Sequence, residues 1–148
     1  MNKNPIIVIP GVFDSNLYFD PELTNLGWPI KSVAKVMDIA RQGDLKKLEI
    51  EYTVPMYARE PVDDTKAEKP EYGANDVWKD MVEGLITAFP GREVWFYSYD
   101  FRQLSAVSMI RFAAFLNTFD DPVDIVAHSY GNNLLAAYVS RYGGDKIH

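Results

Sequence analysis

Three apolar runs divide the chain. Ile6-Ile7-Val8-Ile9 is continuous, β-branched and stopped by Pro10-Gly11, the pattern of a parallel strand buried on both faces. Glu93 to Tyr99, carrying Val94, Trp95, Phe96 and Tyr97, reads as a second buried strand, and Val123 to Ala127 as a third. Helical spacing fills the gaps between them. Asn75 is a candidate N-cap for a helix through Ala88, with Val77, Met81, Leu85 and Ala88 on one face and Trp78, Val82 and Phe89 beside it. Pro90-Gly91 stops that helix. Leu104 to Phe119 predicts another, with Val107, Ile110, Phe112, Ala114, Phe115 and Leu116 inward. Tyr130 to Tyr142 predicts a third, ended by Gly143-Gly144, and Asp145 to His148 reads as the entry to a fourth strand. Earlier in the chain, Ile30 to Arg41 has helical spacing and Leu48 to Val54 alternates like a short strand. Tyr57 to Tyr72, charged and without periodicity, reads as a surface loop.

Strands alternating with helices imply an α/β fold, a parallel sheet with right-handed crossovers flanked by helices. The stretch from about Phe13 to Tyr72 is too long and irregular for a simple connection and reads as a cap-like insertion after the first strand. With 148 residues the chain has the size of one domain, and 47% hydrophobic with 14% aromatic residues suits an ordered core. A net charge of −6 without any basic block argues against a nucleic-acid partner. The absence of cysteine excludes disulfides and thiolate metal sites. Asp120, Asp121 and Asp124 do not match the spacing of a calcium loop, and no glycine-rich phosphate loop is present, so neither a metal nor a cofactor is expected. No run reaches the length of a membrane span, and the first apolar run is too short for a signal peptide. The expectation is a soluble chain, cytoplasmic by default, with secretion left open and no sequence support for membrane-surface contact.

The third strand run carries the chemistry. It ends in Ala127-His128-Ser129-Tyr130-Gly131, and a Leu/Ala/Tyr helical pattern follows at once. A sharp strand-to-helix turn that projects one side chain needs small residues two positions on either side, because the two backbones pass close there. Ala127 and Gly131 meet that need, and Ser129 becomes a candidate nucleophile. Tyr130 would start the helix with its N–H free. Such a donor, backed by the field of the helix N-terminus, can hold the oxyanion of a tetrahedral intermediate.

Three segments in order resemble the lecithin:cholesterol acyltransferase-like branch of the α/β-hydrolases. Ile7-Val8-Ile9-Pro10-Gly11-Val12-Phe13-Asp14-Ser15-Asn16-Leu17 is similar to that branch's strand followed by P-G-x-x-x-S/N-x-L. Phe96-Tyr97-Ser98-Tyr99-Asp100-Phe101-Arg102 resembles its Y-D-W-R signature with Phe101 for Trp, and Val123 to Tyr138 resembles the elbow. The resemblance implies a partial α/β-hydrolase fold, with residues 1–148 as the N-terminal portion of one such domain. It implies Ser129 as nucleophile, and the backbone N–H groups of Val12 and Tyr130 as the oxyanion hole. It also puts Asp100 and Arg102 at the mouth of the same sheet edge, where a structural pair is preferred over substrate contact. Ala127 departs from the family's first Gly, and the lid disulfide of secreted animal relatives is impossible here.

The family's acid and base follow the nucleophile in the order Ser, Asp/Glu, His. After Ser129 only Asp145 and His148 have the right types, and both come too early in the fold; His128 adjoins Ser129 but points elsewhere in an elbow. The expected function is therefore serine-dependent acyl transfer or hydrolysis on a lipid-like or small ester, with the triad completed beyond residue 148. A chain of this kind would be inactive alone and would need its missing half, or self-association, to cover its sheet edge. Tyr18, Phe19, Trp28, Tyr52 and Tyr57 read as packing rather than as an acyl pocket. The alternative is a non-catalytic binding module of hydrolase ancestry.

Overall fold

The computed structural model describes residues 3–29, 37, 41–43, 55–103 and 106–148. Its centre is a parallel three-stranded sheet in the order β4-β1-β5, built from β1 (Ile6–Ile9), β4 (Val94–Phe96) and β5 (Asp124–Ala127). Three helices flank it, α1 (Lys79–Ala88), α2 (Ala106–Leu116) and α3 (Gly131–Tyr142). The arrangement is α/β. All four residues of β1 are buried, as a central parallel strand requires. Ile7 and Ile9 face one way, into a core with Phe112 and Leu116 of α2 and Leu134 and Tyr138 of α3. Ile6 and Val8 face the other, against Val82 of α1, Val94 and Phe96. Beyond β5, Ile147 makes a parallel bridge to Val123, so the segment read as a strand entry lies beside β5.

The sheet has its switch point between β1 and β5, whose neighbours lie on opposite sides of the pair. In doubly wound sheets the crevice at the carboxyl ends of such strands is where ligands gather. The loop after β1 and the turn after β5 meet there.

After β1 the chain forms an antiparallel hairpin of β2 (Leu17–Tyr18) and β3 (Leu26–Trp28), and Tyr18 bridges to Tyr57. Tyr57 to Tyr72 is more than a surface loop. Asp63 forms an antiparallel bridge with Trp95, and Asp64 is buried against β4. The Asp64 N–H donates to the Val94 carbonyl at 2.8 Å, and the Phe96 N–H donates to Asp64 Oδ2 at 3.0 Å. This segment covers the outer edge of β4, where an open ladder would invite wrong pairing.

Helix starts and faces differ from the sequence expectation. Asn75 is not an N-cap: Asn75 and Asp76 both have positive φ (55° and 56°) inside a 3-10 turn, Ala74–Asp76, and α1 begins only at Lys79. Asn and Asp tolerate the left-handed region as readily as they cap, which explains the change. The buried face of α1 is Val82 with Trp78, Leu85 and Ile86, leaving Val77 and Met81 exposed. In α2 the buried residues are Ser108, Phe112, Ala113 and Leu116, whereas Val107 and Ile110 are each 54% exposed. That helix is apolar almost all round, so periodicity alone did not select its face. The strand expected over Glu93 to Tyr99 is shorter: β4 ends at Phe96, and the last bond to β1 is from the Tyr97 N–H to the Val8 carbonyl at 2.8 Å. The helix expected over Ile30 to Arg41 lies largely outside the described residues, as do the strand over Leu48 to Val54, Tyr52 and Leu104. Among the described residues no helix is long and apolar enough to cross a membrane.

Candidate active site

Strand β5 ends at Ala127, whose register partner is Ile9, and the His128 N–H still donates to the Ile9 carbonyl at 3.0 Å. One residue later the backbone turns. Ser129 has φ of 48°, in the left-handed region that side-chain-bearing residues avoid, and it is exposed. Tyr130 takes helical angles as the N-cap of α3, and the Gly131 N–H returns to the His128 carbonyl at 2.8 Å. Asn132 Nδ2 reaches back to the carbonyls of Ala127 and Ser129, both at 3.3 Å. The close approach at Gly131 is visible directly. A methyl group there would lie 2.7 Å from the carbonyl oxygens of both Ile9 and Pro10. The turn is therefore pressed against the end of β1, and only glycine fits.

Gly11 faces it from the other side. A methyl on Gly11 would lie 3.1 Å from Ser129 Cβ, 3.1 Å from His128 Nδ1 and 3.0 Å from Asp14 Oδ2. The Gly11–Asp14 turn is closed by the Asp14 N–H donating to the Gly11 carbonyl at 3.4 Å and is tied at three further points. The Gly11 N–H donates to Asp14 Oδ2 at 2.9 Å, the Trp28 indole N–H to the Phe13 carbonyl at 2.8 Å, and the Ala74 N–H to the Asp14 carbonyl at 2.6 Å. Just before it, the Tyr99 hydroxyl donates to the Pro10 carbonyl at 3.0 Å. Burial above all, then the nearby Tyr130 and Asp14, raises the Tyr99 pKa and keeps that hydroxyl a donor at neutral pH. Neither the Val12 nor the Tyr130 N–H has an acceptor among the described residues. Both stand in the two segments that Gly11 and Ser129 bring together.

Behind the turn lies a buried polar network. Glu71 Oε1 accepts from the Gly73 N–H at 3.0 Å and from Asn16 Nδ2 at 3.1 Å, while Asp64 Oδ1 accepts from the Glu71 N–H at 2.9 Å. Arg59 lies 3.7 Å from each carboxylate. Burial is the largest influence on Asp64 and raises its pKa, against the pull of its two backbone N–H donors and Arg59.

Asp100 and Arg102 bind each other. Arg102 Nε donates to Oδ1 at 2.8 Å and Nη2 to Oδ2 at 2.6 Å, a two-pronged pair with the guanidinium almost fully buried. Such a pair fixes the chain after β4. Phe101 between them joins Phe13 and Trp28 in an aromatic cluster, with ring centroids 5.2 to 6.2 Å apart.

The two histidines of the sequence serve other partners. His128 packs edge-on against Trp78 at 5.4 Å, with Nδ1 3.8 Å from Asp14 Oδ2. His148 Nδ1 lies 3.0 Å from Asp124 Oδ1, at the amino end of β5. Asp124 and Ser129 stand five positions apart, at opposite ends of the four-residue strand, about 16 Å at the rise of a strand. Among the described residues, no cluster of three or more His, Asp or Glu is placed to hold a metal ion. Two cavities, of about 790 and 770 Å³, lie beside Arg59 and along α2, and Ser129, Gly11 and Val12 line neither of these two.

Asp14, Trp28, Asp64, Glu71 and Gly73 were not singled out as site residues from the sequence. Only Asp14 left a local signal there, an acidic residue three places after a turn glycine. The others reach the strands and the turn across 15 residues or more, Trp28 to Phe13, Asp64 to Phe96, Glu71 to Asn16 and Gly73 to Asp14, which no window reveals. Fold and geometry thus define an α/β chain with an exposed serine on a strand-to-helix turn, facing a glycine loop at the sheet's switch point. Set against protein-family models, curated proteins and solved structures, the chain matches none.

Proposed function

We propose that the chain carries the nucleophile and oxyanion hole of a serine acyl-transfer enzyme acting on a lipid-like or small ester, in the manner of the lecithin:cholesterol acyltransferase-like hydrolases. The observation that carries this reading is Ser129 itself: φ of 48°, exposure to solvent, and contact across Gly11 with the loop after β1. A serine held in the left-handed region is strained by about 1 kcal/mol or more; such strain persists where the surrounding structure over-determines it, and it gathers at active sites.

In this reading Ser129 Oγ attacks the ester carbonyl carbon as its proton passes to a base. The carbonyl π electrons move onto oxygen, where the N–H groups of Val12 and Tyr130 receive the charge. Collapse expels the alcohol, which takes up the proton, and leaves an acyl-enzyme on Ser129. Water then completes a hydrolysis, or a second alcohol an acyl transfer. His128 is turned to Asp14 and Trp78, and His148 sits at the opposite sheet edge. In this reading the base and its acid come from outside these 148 residues.

The same placement of the histidines favours a second reading, a binding module that uses the crevice without chemistry. Labelling of the native gene product with a fluorophosphonate, mapped by peptide mass spectrometry, separates the two. The enzyme reading predicts a label on Ser129 that Ser129→Ala abolishes. A folded protein that takes no label there is a binding module.

A further inference from the structure

Phe13 shares an anomaly with Ser129. Its φ is 68°, in the region where a bulky side chain is a genuine outlier. The residue lies directly after Val12 inside the Gly11–Asp14 turn, so its torsion sets the course of the turn, whose first peptide, Gly11–Val12, carries the Val12 N–H. Left to itself, an aromatic residue would relax to negative φ and change the course of that turn. The Trp28 indole opposes this. Its N–H holds the Phe13 carbonyl at 2.8 Å, and its ring packs against Phe13 at 5.3 Å and Phe101 at 6.2 Å. Trp28 stands on β3, whose partner β2 follows the turn within three residues, so the brace is short and stiff. Packing alone would be met by any large apolar ring; the hydrogen bond needs an N–H in that place.

We propose that Trp28 is a positioning residue for acyl transfer: through its indole N–H it anchors the Gly11–Asp14 turn at the Phe13 carbonyl and so holds the Val12 N–H, on the first peptide of that turn, toward the oxyanion. The role rests on the acyl-transfer reading above. It gives the hairpin after β1 a task beyond covering the core, namely bracing one half of the oxyanion hole from outside the sheet.

The test is Trp28→Phe, which keeps an aromatic ring but removes the donor, assayed in the native gene product with p-nitrophenyl butyrate beside wild type and Ser129→Ala. A misplaced oxyanion donor lowers kcat roughly tenfold to a hundredfold with KM unchanged, since the lost interaction exists only in the transition state. Circular dichroism of the variant should match wild type. Wild-type kcat in Trp28→Phe, or a raised KM at unchanged kcat, overturns the positioning role while leaving Ser129 as nucleophile. Turnover that survives Ser129→Ala overturns the acyl-transfer reading, and the role of Trp28 with it.

Discussion

Ser129 and Gly131 show how one turn divides its demands between two residues. Gly131 is needed for space, because the carbonyls of Ile9 and Pro10 leave no room for a Cβ. In the acyl-transfer reading Ser129 supplies the hydroxyl, and it bears the torsional cost, where a glycine would sit at φ of 48° without strain. Stability and function should therefore part at this position. Ser129→Gly is expected to be about 1 kcal/mol more stable than Ser129→Ala in urea denaturation, because only glycine relieves the left-handed backbone. Equal stabilities would mean that the turn is unstrained. The small residues flanking Ser129 were legible because a strand run and a helix pattern enclosed them. The positive φ at Phe13 was not, since nothing in a Val-Phe-Asp sequence announces a left-handed residue and the force that holds it comes from Trp28.

At the level of elements, the outer edge of β4 is finished by one carboxylate. Asp64 accepts the Phe96 N–H on one oxygen and the Glu71 N–H on the other. Asn in its place can accept only one, leaving a buried donor facing an amide NH2 at a cost of about 1–3 kcal/mol. The pH dependence follows from the raised pKa of Asp64, whose main cause is burial. Between the ordinary aspartate value, about 3.9, and the raised value, the folded state keeps a proton that the unfolded chain has lost. Its contribution to stability therefore falls as pH rises through that window. Urea denaturation across pH should show the advantage of wild type over Asp64→Asn largest below the window and smaller above it. An advantage that grows with pH would show that the N–H donors outweigh burial. The region was read from sequence as a surface loop because its carboxylates are satisfied by distant backbone, and local pattern carries no trace of that. The faces of α1 and α2 were misjudged for a different reason, an excess of apolar positions around each helix that leaves the choice to tertiary packing.

For the whole molecule, the alternation of buried runs with helical segments was sufficient to place β1, β4 and β5 in a parallel sheet, since runs such as Ile6 to Ile9 suit only a strand covered on both faces. The strand order then puts the loop after β1 and the turn after β5 at one switch point, and Gly11 and Ser129 into contact there. This convergence of long-range topology with a local turn is what turns a serine in a βα corner into a candidate nucleophile. The most direct measurement is acid-quench trapping of the native gene product during turnover of p-nitrophenyl butyrate, followed by peptide mass spectrometry. The account predicts a butyryl group on the peptide containing Ser129, absent in Ser129→Ala. An acyl group on another residue, or continued turnover with Ser129 never acylated, would contradict it.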